Sequence, residues 1–406
     1  MVLFHSLLPL CGLLATCTAY VPLPPSDDAF YQPPYRYELE RPESILRPRQ
    51  LPKPFGINAT IAKTHQLLYR STDSQGKPNA VVTTVLVPPN AHPNKLLSLQ
   101  NAYDSAFIDC PPSYQLYQPD SFIYEREIIE LALQEGWYVS VPDFEGFTSA
   151  FTNGVQSGQA VLDSLRAVLR SRSITGLSSN ARKVMAGGSG GALGSEWALE
   201  LQATYSPELT IEGTLLTALT PNVSSVFETV EGTNSSSVIP LAMLGLSKQY
   251  PNLSRWISDN LQPLSAPGFL EANKVCGANL QPIFQTQQVS SKYFGRPNAF
   301  LDATPQSVLH SVGTMGLHGT PRSPIFSCKG EADELSPIAD TDALINKYCD
   351  KGVTVQYLRV AKADHEIGGA YGFVAGFPWL KDRLNGVRLP AGCNITNITL
   401  PAGFPA

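Results

Sequence analysis

The stretch Met185-Ala186-Gly187-Gly188-Ser189-Gly190-Gly191-Ala192-Leu193-Gly194-Ser195-Glu196-Trp197 decides how the chain is read. It begins as a short strand, Lys183-Val184-Met185-Ala186, and ends in residues that favour a helix. Between the two stands G-x-S-x-G. Gly187 and Gly191 leave room for a tight strand-to-helix turn, and such a turn lifts a strained serine above the sheet edge. The Gly190 N–H then points where negative charge would form on a carbonyl attacked by Ser189. A glycine-rich turn without chemistry is the plainer alternative, but the strand before and the helix after favour a nucleophile.

A serine hydroxyl needs a base, and on a sheet of this kind the order along the chain is Ser, acid, His. Downstream of Ser189 the histidines are His310, His318 and His365. The first two precede the last strands, where a lone histidine is usually structural. His365 follows a strand at 353–357 and lies in the glycine-flanked run Ala363-Asp364-His365-Glu366-Ile367-Gly368-Gly369, which reads as a loop. Loops at strand ends suit a general base. The acid should sit after an earlier strand, 324–327, and Asp333 meets that condition in a turn before a helix. Glu331, Glu334 and Asp364 are its rivals, although Asp364 adjoins the histidine and adjacent side chains diverge. Asp333 could also be only a helix cap.

Around these residues the chain alternates strand and helix. Residues 81–88 and 96–100 read as strands, 124–135 as a helix stopped by Gly136, 137–143 as a strand and 157–171 as a helix. Such alternation predicts the α/β class, a mostly parallel central sheet with helices on both faces. From 220 to 310 the alternation stops, and short helical stretches such as 239–249 replace it. An inserted cap is the simplest account, with residues 56–219 and 311–406 as the core. Residues 20–55 are proline-rich and read as an extended arm over the body.

The 406 residues carry 29 Lys plus Arg and 34 Asp plus Glu, a net charge of -5, and 43% are hydrophobic. That excludes disorder as the main state and argues against nucleic acid as a partner. The first nineteen residues contain an apolar run without acidic residues, ending in small residues. They read as a secretory leader cleaved after Ala19, and the run is too short for a membrane anchor. Asn58, Asn222, Asn234, Asn252, Asn394 and Asn397 stand in N-x-Ser/Thr sequons, consistent with a glycosylated extracellular surface. Past the leader the cysteines are Cys110, Cys276, Cys328, Cys349 and Cys393. An oxidising compartment favours two bridges and a leftover thiol, but spacing does not fix the pairing. No metal-ligand spacing appears.

These motifs together resemble the fungal secretory lipases of the Candida antarctica lipase A type. G-x-S-G-G-A followed by Ser-Glu-Trp is matched from Gly187 to Trp197, and the Asp-Glu-hydrophobic-x-Pro turn by Asp333-Glu334-Leu335-Ser336-Pro337. A Pro-Asp-x-Glu-Gly-Phe loop is matched by Pro142 to Phe147, and a Tyr-Asp-Ser stretch by Tyr103-Asp104-Ser105. The resemblance implies an α/β-hydrolase core with a helical cap and a Ser189–Asp333–His365 triad. It also implies an oxyanion hole of Gly190 and Asp104, and bridges Cys110–Cys276 and Cys349–Cys393. The expected activity is hydrolysis of carboxylic esters, most simply triacylglycerols at a lipid–water interface, by a secreted monomer with no cofactor or metal. A short-acyl esterase acting on a small secondary metabolite is the alternative. A serine peptidase or a non-catalytic binding protein is a more distant one. The glycine-rich surroundings of His365 and the Asn101-Ala102 before Tyr103 depart from the family pattern and bear on substrate choice.

Overall fold

A computed structural model describes residues 22–119 and 123–404. The leader expected at residues 1–19 lies outside the described residues. Ten strands form a single sheet in the order β1-β2-β3-β5-β4-β6-β7-β8-β9-β10. They are β1 Ile45–Leu51, β2 Lys63–Thr72, β3 Pro78–Val87, β4 Lys95–Gln100, β5 Tyr138–Pro142, β6 Arg182–Gly188, β7 Thr214–Thr217, β8 Ile325–Gly330, β9 Val355–Val360 and β10 Cys393–Ile398. The β1–β2, β2–β3 and β3–β5 pairs are antiparallel, and from β5 to β10 every neighbouring pair is parallel. The core helices include α1 Ile123–Gln134, α2 Gly154–Arg170, α3 Gly190–Tyr205, α4 Ile338–Asp350 and α5 His365–Leu384.

The central strands β4, β6, β7 and β8 are buried along nearly their whole length, as near-continuous apolar runs covered on both faces require. One apolar cluster holds Met185, Trp197 and Leu216, and another holds Val184, Leu215 and Phe377. Alternate residues of β6 and β7 therefore pack on opposite faces of the sheet.

Between β7 and β8 the chain leaves the sheet for short helices, among them Val223–Val230, Val238–Ser247, Pro251–Asn260 and Ala303–Val312. No strand interrupts this stretch among the described residues. Cys110 is bridged to Cys276, and Cys349 at the end of α4 to Cys393 at the start of β10.

Three features differ from what the residues suggested. Part of the proline-rich arm, β1, pairs with β2 and is the edge of the sheet. β10 forms the opposite edge from a polar, largely exposed run, Cys-Asn-Ile-Thr-Asn-Ile. His365 is not in a loop but is the first residue of the 20-residue helix α5. Asp364 caps that helix by accepting the Ile367 N–H at 2.8 Å. Its glycines let it lie close on the sheet: a Cβ on Gly372 would fall 2.6 Å from Thr217 of β7.

Candidate active site

Ser189, Asp333 and His365 come from three separate connections and meet at one edge of the sheet. Each follows the carboxyl end of a parallel strand, β6, β8 and β9 respectively, where open α/β sheets place their sites.

Ser189 is held at φ 51° and ψ -120°, a conformation that L-residues rarely adopt. The turn is pinned by the Ser189 N–H, which donates to the Thr217 carbonyl at 2.9 Å. Gly191 has no alternative, because a Cβ there would lie 1.9 Å from the Gln100 carbonyl. The chain then enters α3, so the first free N–H groups of a 16-residue helix face the serine.

His365 Nε2 lies 2.8 Å from Ser189 Oγ, and His365 Nδ1 lies 2.8 Å from Asp333 Oδ2. Asp333 Oδ1 accepts the N–H groups of Leu335 and Ser336, each at 2.9 Å. Burial alone would raise the Asp333 carboxyl. The hydrogen bond and charge of His365 and the ammonium of Lys329 outweigh it and hold the group well below the usual carboxylate range. A permanently ionised carboxylate on one ring nitrogen leaves the other free to take a proton from the serine.

The rival acids lie elsewhere. Glu331 faces Arg359 at 3.7 Å, Glu334 accepts the His365 backbone N–H at 3.1 Å, and Asp364 is the helix cap. His310 is exposed, and the His318 ring packs 4.7 Å from Trp197.

Asp104 sits at φ 37° in the loop after β4, and its Oδ1 lies where a Cβ on Gly190 would fall, 1.9 Å away. That Oδ1 is buried without a hydrogen-bond partner, and burial raises the Asp104 carboxyl to about 6. The loop rests on further buried acids. Glu145 accepts the Ser105 N–H at 3.3 Å, and Tyr103 packs edge-on against Phe144 with its hydroxyl 2.6 Å from the Glu145 nitrogen. Sequence reasoning missed these supports, and it missed Lys329 as well. The signal for Lys329 was present: a lysine inside the buried strand Ile-Phe-Ser-Cys-Lys-Gly.

A cavity of about 970 Å³ opens beside the Asp104 loop. Its lining includes Tyr103, Phe107, Val238, Leu241 and Leu335 beside the Asp104 carboxyl. Polar side chains line it too, among them Asp109, Gln115, Asn234, Asn279, Gln281 and Glu366. Most of the apolar helix 238–247 is core instead, with Ile239, Met243 and Leu246 fully buried. Cys328 stays a free thiol, buried under the site and pushed up to about 12, which makes it unreactive. Five of the six sequon asparagines are exposed, whereas Asn222 is half-buried and its Oδ1 caps the helix 223–230.

A family model for secretory lipases matches residues 121–392, more than half of the chain. Lipase A of Arthroderma benhamiae is 36% identical over 390 residues, covering 93% of this chain and 83% of that protein. Trichothecene C-3 esterase of Fusarium sporotrichioides is 35% identical, covering 93% and 88%. The X-ray structure of Candida antarctica lipase A in its closed state superposes with a TM-score of 0.86 at 26% identity, over 95% of this chain and 91% of that one. The chain therefore has the α/β-hydrolase fold and belongs to the secretory lipase family.

Proposed function

We propose that this carboxylic-ester hydrolase is a secreted lipase that cleaves acylglycerols through an acyl-enzyme on Ser189. The observation that carries the reading is the run of 2.8 Å hydrogen bonds from Ser189 through His365 to Asp333. Ser189 Oγ attacks the ester carbonyl and its proton passes to His365 Nε2, while Asp333 steadies the imidazolium. The oxyanion is received by the N–H groups of Gly190 and Asp104. An ionised carboxylate beside that oxyanion would oppose it, and the raised Asp104 carboxyl is neutral below about pH 6. His365 then protonates the departing alcohol. Water, deprotonated by the same imidazole, cleaves the acyl-enzyme.

Residues 220–310 act as the cap over this centre, with 56–219 and 311–406 as its core. Leu264 and Leu270 of the cap are exposed apolar side chains suited to a lipid–water interface. The leader at 1–19 and the two disulfides support export to an oxidising compartment. The chain acts there as a glycosylated monomer.

The polar side chains in the cavity lining, Asn234, Asn279 and Gln281 among them, favour a second reading, a short-acyl esterase acting on an oxygenated secondary metabolite. A relative named for trichothecene C-3 ester cleavage supports it. Hydrolysis of p-nitrophenyl esters from acetate to palmitate, with emulsified triolein alongside, separates the two. The lipase reading requires turnover of triolein and of medium or long chains. Activity confined to acetate and butyrate would replace it with the esterase. No turnover of any ester would end both.

A further inference from the structure

A buried cation shares the Asp333 carboxylate oxygen that His365 contacts. Lys329, on β8, has a side chain with 0% exposure, and its Nζ lies 2.7 Å from Asp333 Oδ2. The same ammonium donates to the Leu219 carbonyl at 2.7 Å, just beyond β7. Asp333 Oδ2 is therefore shared between an imidazole at 2.8 Å and an ammonium at 2.7 Å.

We propose that Lys329 is a positioning residue of the active centre. Its ammonium fixes the Asp333 carboxylate on His365 and offsets its negative charge, so that removing the ammonium moves the acidic limb of the rate. The inference rests on the Ser189–His365–Asp333 assignment. An uncompensated buried carboxylate would stabilise the imidazolium strongly. A carboxylate already paired with an ammonium keeps its hydrogen bond to Nδ1 but attracts a proton onto the ring less.

The other ionisable groups facing the pair do not supply this compensation, because all are acids. Glu334 lies in the turn and accepts the His365 N–H. Asp340 faces Lys329 from α4. Asp104 faces His365 from the oxyanion loop. Asp364 and Glu366 flank the histidine in sequence. Burial lowers the Lys329 ammonium, and Asp333, Asp340 and Glu334 oppose that loss.

The test is the pH dependence of kcat/KM on a soluble p-nitrophenyl ester for wild type, K329Q and K329R. Gln offers N–H donors to Asp333 and Leu219 without the charge, and Arg keeps the charge. In K329Q the acidic limb is expected to move up by about one pH unit. K329R is expected to retain the wild-type limb, whatever its plateau. A K329Q profile lowered equally at every pH, with its limb unmoved, would make Lys329 merely structural and overturn the proposal. If K329Q is not secreted, K329M is measured in its place, and the same shift of the limb, or its absence, decides. S189A measured alongside separates the two ideas, since full activity in S189A would remove the triad assignment itself.

Discussion

The backbone carbonyl of Asp104 faces Gly277 so closely that a Cβ on residue 277 would lie 2.6 Å from it. The loop that carries the proposed oxyanion donor is thus braced by a segment of the stretch between β7 and β8. G277A must push the two apart, and overpacking of this kind costs about 1–3 kcal/mol. The expected result is a kcat/KM lowered by about tenfold with the melting temperature lowered by only a few degrees. Unchanged kinetics would show that the contact does not set the loop.

The neighbouring residue, Cys276, is bridged to Cys110 across a sequence separation of 166. Closing so long a loop stabilises a chain by up to about 5 kcal/mol in the loop-entropy account. The C110S/C276S double variant is expected to melt well below wild type and to lose ester turnover along with the brace on Asp104. Wild-type stability in the double variant, measured by calorimetry, would remove this role.

Several buried carboxyls are raised by burial first of all: Asp104 and Asp163 to about 6, Glu125 and Asp143 to about 7, and Glu145 and Glu196 well above the ordinary range. The folded chain therefore holds protons that the unfolded chain has released above about pH 4. Stability falls as pH rises from about 4 through 7, and Glu145 and Glu196 extend the fall to higher pH. Asp333 acts the other way, and its contribution is lost only as pH falls below the ordinary carboxylate range. The melting temperature is expected to be about 5 °C higher at pH 5 than at pH 7.5. A melting temperature that climbs steadily to pH 7.5 would contradict the burial of these groups.

The identity of the acid can be tested against its rivals. D333N should lower kcat by about 10⁴-fold while the fold survives, as loss of the orienting carboxylate does in such triads. D364N should leave activity intact, because Asn caps a helix as well as Asp. E334Q should stay within about tenfold of wild type, since an amide oxygen still accepts the His365 N–H. Loss of activity in D364N alone would reassign the acid.

Much of the candidate site was legible because its signals are local. Gly187 to Gly191 stands between a strand and a helix, where a tight turn is readable from the residues alone, and Asp333 and His365 each follow a strand readable in the same way. What was not legible depends on distant packing. Pro48 and the arginines of β1 read as an arm, yet those residues suit an edge strand that needs pairing on one side only. β10 is polar for the same reason. The glycines after His365 read as a loop, because close approach to Thr217 and Gly330 cannot be seen in the sequence. The burial of Lys329 against Asp333 and Leu219 is likewise a tertiary fact, and only its place in an apolar strand hints at it.

The central claim is that Ser189 is the nucleophile, and covalent capture tests it most directly. The purified protein is incubated with diethyl p-nitrophenyl phosphate, then weighed intact and mapped by peptide mass spectrometry. The account predicts one diethylphosphoryl group, located on Ser189, with ester turnover lost in step with labelling and no adduct on S189A. An active protein that takes no label on Ser189, or one whose S189A variant is labelled and inactivated as fast as wild type, would contradict it.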